Sequence, residues 1–244
     1  MSSIIVENLS IRFRIYHDRS PSLKAYFANL LRPSQPSAHS DFWAVKDVSF
    51  TIRAGDRVGI VGRNGAGKST LLKALCRVYE SSYGRIEVTG RVAPLLEIGA
   101  GFHPEFTGRE NIYLNGAILG YTRQQLRSIE SEVIEFAELE EFIDTPVKYY
   151  STGMYMRLAF SLATAVHPDI LVLDEVFAGG DAAFVLKART RMQTLIDKAD
   201  VMIMVSHDQR LVRSMCNRVM WLDHGSLVAD GDPDTVLERY LGGN

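Results

Sequence analysis

The chain has 244 residues, 46% hydrophobic and 23% charged, with a formal net charge of −2. That length holds one large α/β domain or two small ones with a full core. The charge balance gives no basic field for nucleic acid, so no nucleic-acid partner is expected. The two cysteines, Cys76 and Cys216, lack metal-ligand spacing and read as core thiols in a reducing compartment. No apolar run reaches membrane-spanning length, and the first residues lack the basic region of a signal peptide. Any membrane role therefore runs through a partner.

Ile4-Ile5-Val6 and then Ser10 to Tyr16 come first. The second run sets Ile11, Phe13 and Ile15 against Ser10, Arg12, Arg14 and Tyr16, the period-two pattern of a half-buried strand. Its aromatics suit sheet packing or stacking on a base. His17 to Phe42 interrupts the pattern. Within it Ser20 can cap a helix that starts at Pro21, and Leu23, Tyr26, Phe27, Leu30 and Leu31 share one face. The spacing predicts an inserted amphipathic helix over about 21–32, packed either on its own domain or on a membrane or membrane-embedded partner. Ala44 to Ile52 resumes the strands, and Ala54-Gly55-Asp56 turns the chain into the next one.

Arg57 to Val61 reads as a short buried strand. Gly62-Arg63-Asn64-Gly65-Ala66-Gly67-Lys68-Ser69-Thr70 follows and fits G-x-x-x-x-G-K-[ST], the phosphate-binding loop of nucleotide hydrolases. Ser69 to Val78 reads as the helix leading out, whose N-terminus adds partial positive charge. In such a loop Lys68 reaches the β- and γ-phosphates and the Ser69 hydroxyl ligates Mg2+. Gly84 to Leu96 reads as a strand, a turn at Thr89-Gly90 and a second strand, followed by the glycine-rich loop Glu97 to Pro104.

From Thr107 the period turns helical. Thr107 and Glu110 form a capping box, with helices over Asn111 to Leu119 and Thr122 to Phe136. Asp144 to Tyr150 is a linker, and Ser151 caps a helix expected to run to His167-Pro168. The strand Asp169 to Asp174 ends in two carboxylates, Asp174 and Glu175. Active groups of a parallel sheet gather at strand carboxyl ends. Asp174 is thus placed to hold Mg2+, and Glu175 to orient or deprotonate an attacking water. A helix from Asp181 to Lys198 and a strand Val201 to Val205 lead to His207, which is either structural or a donor to the γ-phosphate. A helix to Met215, a hairpin around Asp223-His224-Gly225 and a helix from Asp232 to Tyr240 complete the chain. Ser151-Thr152-Gly153 makes a second helix end fit for an anion. Two phosphate-binding ends in one chain suggest composite sites across a dimer.

Phosphate loop, Asp174-Glu175 strand, helical insert, helix-opening serine and late histidine, in that order, resemble an ATP-binding cassette (ABC) ATPase over nearly the whole chain. The resemblance implies an α/β ABC ATPase nucleotide-binding domain: a P-loop RecA-like core with an antiparallel β subdomain and an inserted α-helical subdomain. The core would span 1–106 and 168–244, and the helical subdomain about 107–167. Tyr150-Ser151-Thr152-Gly153-Met154 stands where that family has L-S-G-G-Q. Ser151 and Gly153 match it; Tyr150, Thr152 and Met154 depart. Asp181 stands in the loop that meets the opposite subunit. The run from Tyr150 to Leu158, with Glu97 to Asn111, resembles the Wzt/TagH-type subfamily, which drives export of lipid-linked surface polysaccharides. The family's γ-phosphate-sensing glutamine has no match between Glu97 and Pro104.

The resemblance implies ATP and Mg2+ as ligands, catalysis through Lys68, Glu175 and His207, and a homodimer. It also implies an integral membrane, Wzm-like permease that handles the lipid-linked polymer, and a peripheral place on the cytoplasmic face of the inner membrane. For adenine stacking, Phe13 matches the family position best, with Trp43, Phe42 and Tyr16 as rivals. The sequence ends at Asn244, so the C-terminal carbohydrate-binding domain that some members carry is not expected. Two rival readings are a soluble ABC ATPase acting on ribosomes or DNA and a small-molecule P-loop kinase; the kinase leaves Ser151, Asp181 and His207 unexplained.

Overall fold

The computed structural model describes residues 1–16, 39–95, 98–174 and 182–242. The expected 21–32 helix, Glu175 and Asp181 lie outside these residues. Two sheets and a helical layer carry the fold. The first sheet is antiparallel, in the order β2-β1-β4, built from β1 (Ser3–Tyr16), β2 (His39–Arg53) and β4 (Tyr83–Thr89). In β1, Ile4, Val6, Leu9 and Ile11 are buried. The step from Val6 to Leu9 breaks the period of two. The break is absorbed at Asn8, whose φ of 49° and irregular register re-aim the strand.

The second sheet has the order β5-β6-β7-β3-β8-β9. Its strands are β5 (Val92–Leu95), β6 (Ile170–Asp174), β7 (Val201–Val205), β3 (Arg57–Val61), β8 (Arg218–Asp223) and β9 (Ser226–Gly231). All neighbours pair in parallel except the β8–β9 hairpin. The central strands carry helices on both faces, which is why β6 and β7 read as unbroken apolar runs rather than alternating ones. β4 and β5 are consecutive in sequence, yet the fold sends them to different sheets.

The helices are α1 (Lys68–Leu75), α2 (Gly108–Ile118), α3 (Arg123–Ala137), α4 (Thr152–Ala163), α5 (Ala182–Lys198), α6 (Gln209–Met215) and α7 (Pro233–Gly242). Three apolar clusters hold the layers together. The first packs the antiparallel sheet and α1 against one face of the parallel sheet. The second packs α5, α6 and α7 on the other face. The third lies within α2, α3 and α4 around Ile112, Leu126, Leu158 and Leu162.

Both arms of the expected Thr107 capping box are formed, and Thr122 and Gln125 make another. Two helices stop earlier than their periodicity suggests. α1 ends at Leu75 rather than Val78 because Arg77 turns left-handed at φ 60° and Val78 N–H reaches back to the Lys73 carbonyl. α4 ends at Ala163 rather than near His167. Thr164 Oγ1 bonds back to the Phe160 carbonyl at 2.7 Å, Pro168 disfavours a helical residue before it, and Asp169 and Ile170 both donate to the Arg91 carbonyl.

Candidate functional site

Three adjacent strands, β6, β7 and β3, run parallel and end on one edge. Asp174 closes β6 opposite Val205, the last residue of β7. Ser206 and His207 continue from β7, and the 62–70 loop continues from β3. These ends surround a cavity of about 470 Å³ lined by Asn64 to Thr70, Asp174, Val205, His207, Phe42 and Ala44. Residues far apart in sequence thus meet at the carboxyl edge of the sheet, as the parallel topology requires.

Its own backbone and its neighbours set the shape of the loop. Gly67 sits at φ 100°, and a Cβ there would lie 2.2 Å from the Ala44 carbonyl oxygen. Only glycine lets the loop lie this close to β2. Gly225 N–H donates to the Ala66 carbonyl at 3.0 Å and Lys46 N–H to the Gly225 carbonyl at 2.7 Å. The β8–β9 hairpin and β2 therefore brace the loop together. Lys68 is 7% exposed, and its Nζ donates to the carbonyls of Gly62 and Arg63 at 2.7 and 3.0 Å. The loop curls around its own cation, and α1 starts at that lysine. Buried ammonium, glycine cradle and helix N-terminus are the donor set that phosphate oxygens need.

Ser69 and Asp174 face the same cavity. They supply one hydroxyl and one carboxylate, which fits Mg2+, an ion that takes one or two protein ligands when phosphate oxygens fill other positions. Among the described residues no group of three or more His, Cys, Asp or Glu could hold a metal ion. His207 is exposed at the cavity edge, next to Asp208, which caps α6 through Arg210 and Leu211 N–H. Ser151 is the N-cap of α4, with its hydroxyl accepting from Met154 N–H at 3.2 Å. Neither Ser151 nor Gly153 lines the cavity.

The aromatics divide more sharply than their positions in sequence suggest. Phe42, 50% exposed, lines the cavity. Phe13 lies opposite Phe42 in the β1–β2 register but sits edge-on to Tyr79, ring centres 5.4 Å apart, against the core. Trp43 stacks on Tyr83 and carries Arg12 over its ring. Burial pushes both Cys76 and Cys216 up to about 12, as inert core thiols require.

A family model described as "ABC transporter" matches residues 45–178. Over 233 residues the chain is 40% identical to the O-antigen export system ATP-binding protein RfbB of Klebsiella pneumoniae, spanning 96% of this chain and 95% of that protein. The chain belongs to the ABC transporter family. As an ABC ATPase it groups with ATP-binding proteins of export systems. It is 42% identical to RfbB of Myxococcus xanthus, spanning 98% of this chain and 56% of that protein. It is 38% identical to the teichoic acids export ATP-binding protein TagH of Lactococcus lactis, spanning 97% of this chain and 50% of that protein. The chain thus spans about half the length of these last two relatives. Among solved structures, the ATP-binding cassette MJ0796, a dimer bound to ADP and Pi, superposes with a TM-score of 0.66 at 19% identity, covering 94% of this chain and 98% of that one. That likeness carries the fold: an ABC-type α/β ATPase domain.

Two features of this ABC ATPase escape a reading by motif. One is Phe42 at the cavity, a rival to Phe13 that sequence could not rank first because an insertion separates it from the strand it pairs with. The other is a pair of asparagines, Asn111 and Asn115, inside α2. Polar residues four apart on the buried face of an amphipathic helix were the available signal.

Proposed function

We propose that this ABC ATPase hydrolyses ATP to drive export of a lipid-linked surface polysaccharide, of O-antigen, capsule or teichoic-acid type, across the cytoplasmic membrane. It works as a homodimer on the cytoplasmic face, docked on a separate Wzm-like permease that handles the polymer. The names of the relatives support the cargo class, and no described helix is long and apolar enough to cross a membrane. One observation supports the dimer above others. The 62–70 loop, Asp174 and His207 share a cavity, while the second anion-binding end, Ser151 to Gly153, lies outside it.

Each ATP is held by the 62–70 loop of one chain and by Ser151 and Gly153 of its partner. Lys68 and the loop N–H groups neutralise the β- and γ-phosphates. Ser69 and Asp174 would hold Mg2+, which would withdraw charge from the phosphate oxygens. Glu175, next to Asp174 in sequence, takes the proton of the attacking water. His207 donates to the γ-phosphate, and Asp181 meets the opposite subunit. Closure of the dimer excludes water other than the nucleophile and completes the site. Phe42, which lines the cavity, offers the aromatic surface for the base.

Depletion of the protein in its host tests the cargo. Lipid-linked glycan is expected to accumulate on the cytoplasmic side while surface polysaccharide disappears. Unchanged surface glycan would remove the polysaccharide assignment and leave an ABC ATPase with another cargo.

A further inference from the structure

The loop that follows β5 is gripped by side chains with no part in the roles above. Tyr155, one turn into α4 from Ser151, donates its hydroxyl to the Gly99 carbonyl at 2.7 Å. Its ring lies against Phe102 with centres 5.2 Å apart. Gly99 is at φ 88°, and a Cβ there would fall 2.6 Å from Tyr155 Cε1. From the other side, Asn115 Nδ2 donates to the Ala100 carbonyl at 2.8 Å. Asn111, fully buried, accepts from His103 N–H and donates to the carbonyls of His103, Phe106 and Thr107. The loop is therefore tied to α2 by amides and to α4 by one phenol. β5 runs parallel to β6, so its carboxyl end opens on the same edge as Asp174.

We propose that Tyr155 is a positioning residue: by joining α4 to the loop after β5, it fixes the Ser151 end of α4 relative to the sheet edge that carries Lys68 and Asp174. It thereby sets how Ser151 and Gly153 are offered to ATP held by the partner subunit. This rests on the composite-site reading above. A helix is stiff over one turn, so a tether at Tyr155 controls the orientation of its N-terminus. The loop has no glutamine between Glu97 and Pro104, and the phenol supplies a polar link between this loop and the helical layer. Burial holds the Tyr155 hydroxyl above its ordinary range, so it remains a donor through neutral pH.

Steady-state ATPase kinetics of the full chain test the role with Tyr155→Phe, Ser151→Ala, their double variant and Asn115→Ala. Tyr155→Phe keeps the ring and loses one hydrogen bond. We expect kcat to fall about three- to ten-fold with KM for ATP within about two-fold, because Tyr155 does not line the nucleotide cavity. The double variant is expected to be no slower than the slower single variant, since Tyr155 acts through Ser151. Asn115→Ala, which removes one of the loop's ties to α2 and leaves the Tyr155–Gly99 bond, is expected to lower the melting temperature with a smaller fall in kcat than Tyr155→Phe. Wild-type kcat in Tyr155→Phe, multiplying losses in the double variant, or an equal fall in kcat from Asn115→Ala would each overturn the positioning role. Wild-type turnover in Ser151→Ala would instead bring down the composite site, and the role of Tyr155 with it.

Discussion

Lys68, Asp174 and His207 line one cavity in different surroundings: Lys68 is buried, Asp174 half-buried and His207 exposed. Lys68 is enclosed by carbonyls that hold its head in place, so replacing it with alanine removes both the cation and the shape of the loop. Glu175 is expected to act on water alone. Glu175→Gln should lower turnover by about 10²–10⁴, the range for a lost positioned base, and keep ATP binding. Near-normal turnover in a single-turnover assay would take that role from Glu175. The aromatics make a second test. Stacking on a base is worth about 1–3 kcal/mol by truncation. Phe42→Ala should therefore raise the Kd for ATP by about five-fold or more, read by titration calorimetry. Phe13→Ala should chiefly lower stability, because Phe13 packs on Tyr79 and the core. The opposite pattern would make Phe13 the stacking residue.

Among the elements, the helical layer depends on its caps and charged ties. Thr107 and Glu110 satisfy each other's backbone N–H groups at the start of α2. Thr107→Ala should cost about 1 kcal/mol, seen as faster hydrogen exchange in α2 with ATP binding unchanged. Arg109 bonds to Glu130 on α3 and to Asp144 in the loop beyond. Its hydrogen bond holds the Asp144 carboxyl below the usual carboxylate range. A depressed carboxylate contributes stability above its unfolded pKa, about 3.9, and loses it as pH falls through the folded value. Asp144→Asn should melt slightly below the parent at neutral pH, with the two converging as pH falls through the folded value of Asp144. The gap is small because Asp144 is well exposed to solvent. Expectation and fold agree for the elements with strong local signals, namely the Thr107 capping box, the buried strands and the 224–225 hairpin. They diverge at the ends of α1 and α4, where a left-handed residue and competition from the sheet set the boundary.

For the whole molecule, the decisive feature is that the Ser151 end of α4 lies outside the cavity that the 62–70 loop lines. If two chains share each site, a 1:1 mixture of Lys68→Ala and Ser151→Arg proteins contains heterodimers with one intact site and one doubly damaged site. Turnover should recover to about a quarter of the wild-type value, since half of the dimers are mixed and each has one working site. Absence of recovery in mixtures of refolded subunits would argue that each site is built within a single chain. The aromatic contacts of Phe136 with Phe160 and Phe184, with Lys187 and Arg191 over the Phe136 ring, join α3 to α4 and α5. The helical layer and the core therefore share packing as well as chain.

Local chemistry was legible from residues alone. The glycines, Lys68 and Ser69 must lie in one short loop to enclose a phosphate, and so they appear as a contiguous motif. Asp174 could be read because a buried parallel strand ends where polar groups begin. The ordered set of motifs was enough to indicate the family. Contacts between distant segments were not legible, because period and composition carry no information on which strand lies beside which. The pairing order that brings Asp174, His207 and the phosphate loop to one edge came from the tertiary structure. So did the choice of Phe42 over Phe13 at the cavity and the grip of Tyr155 on Gly99. Each depends on how two segments approach, to within a few ångströms, once the cores have packed.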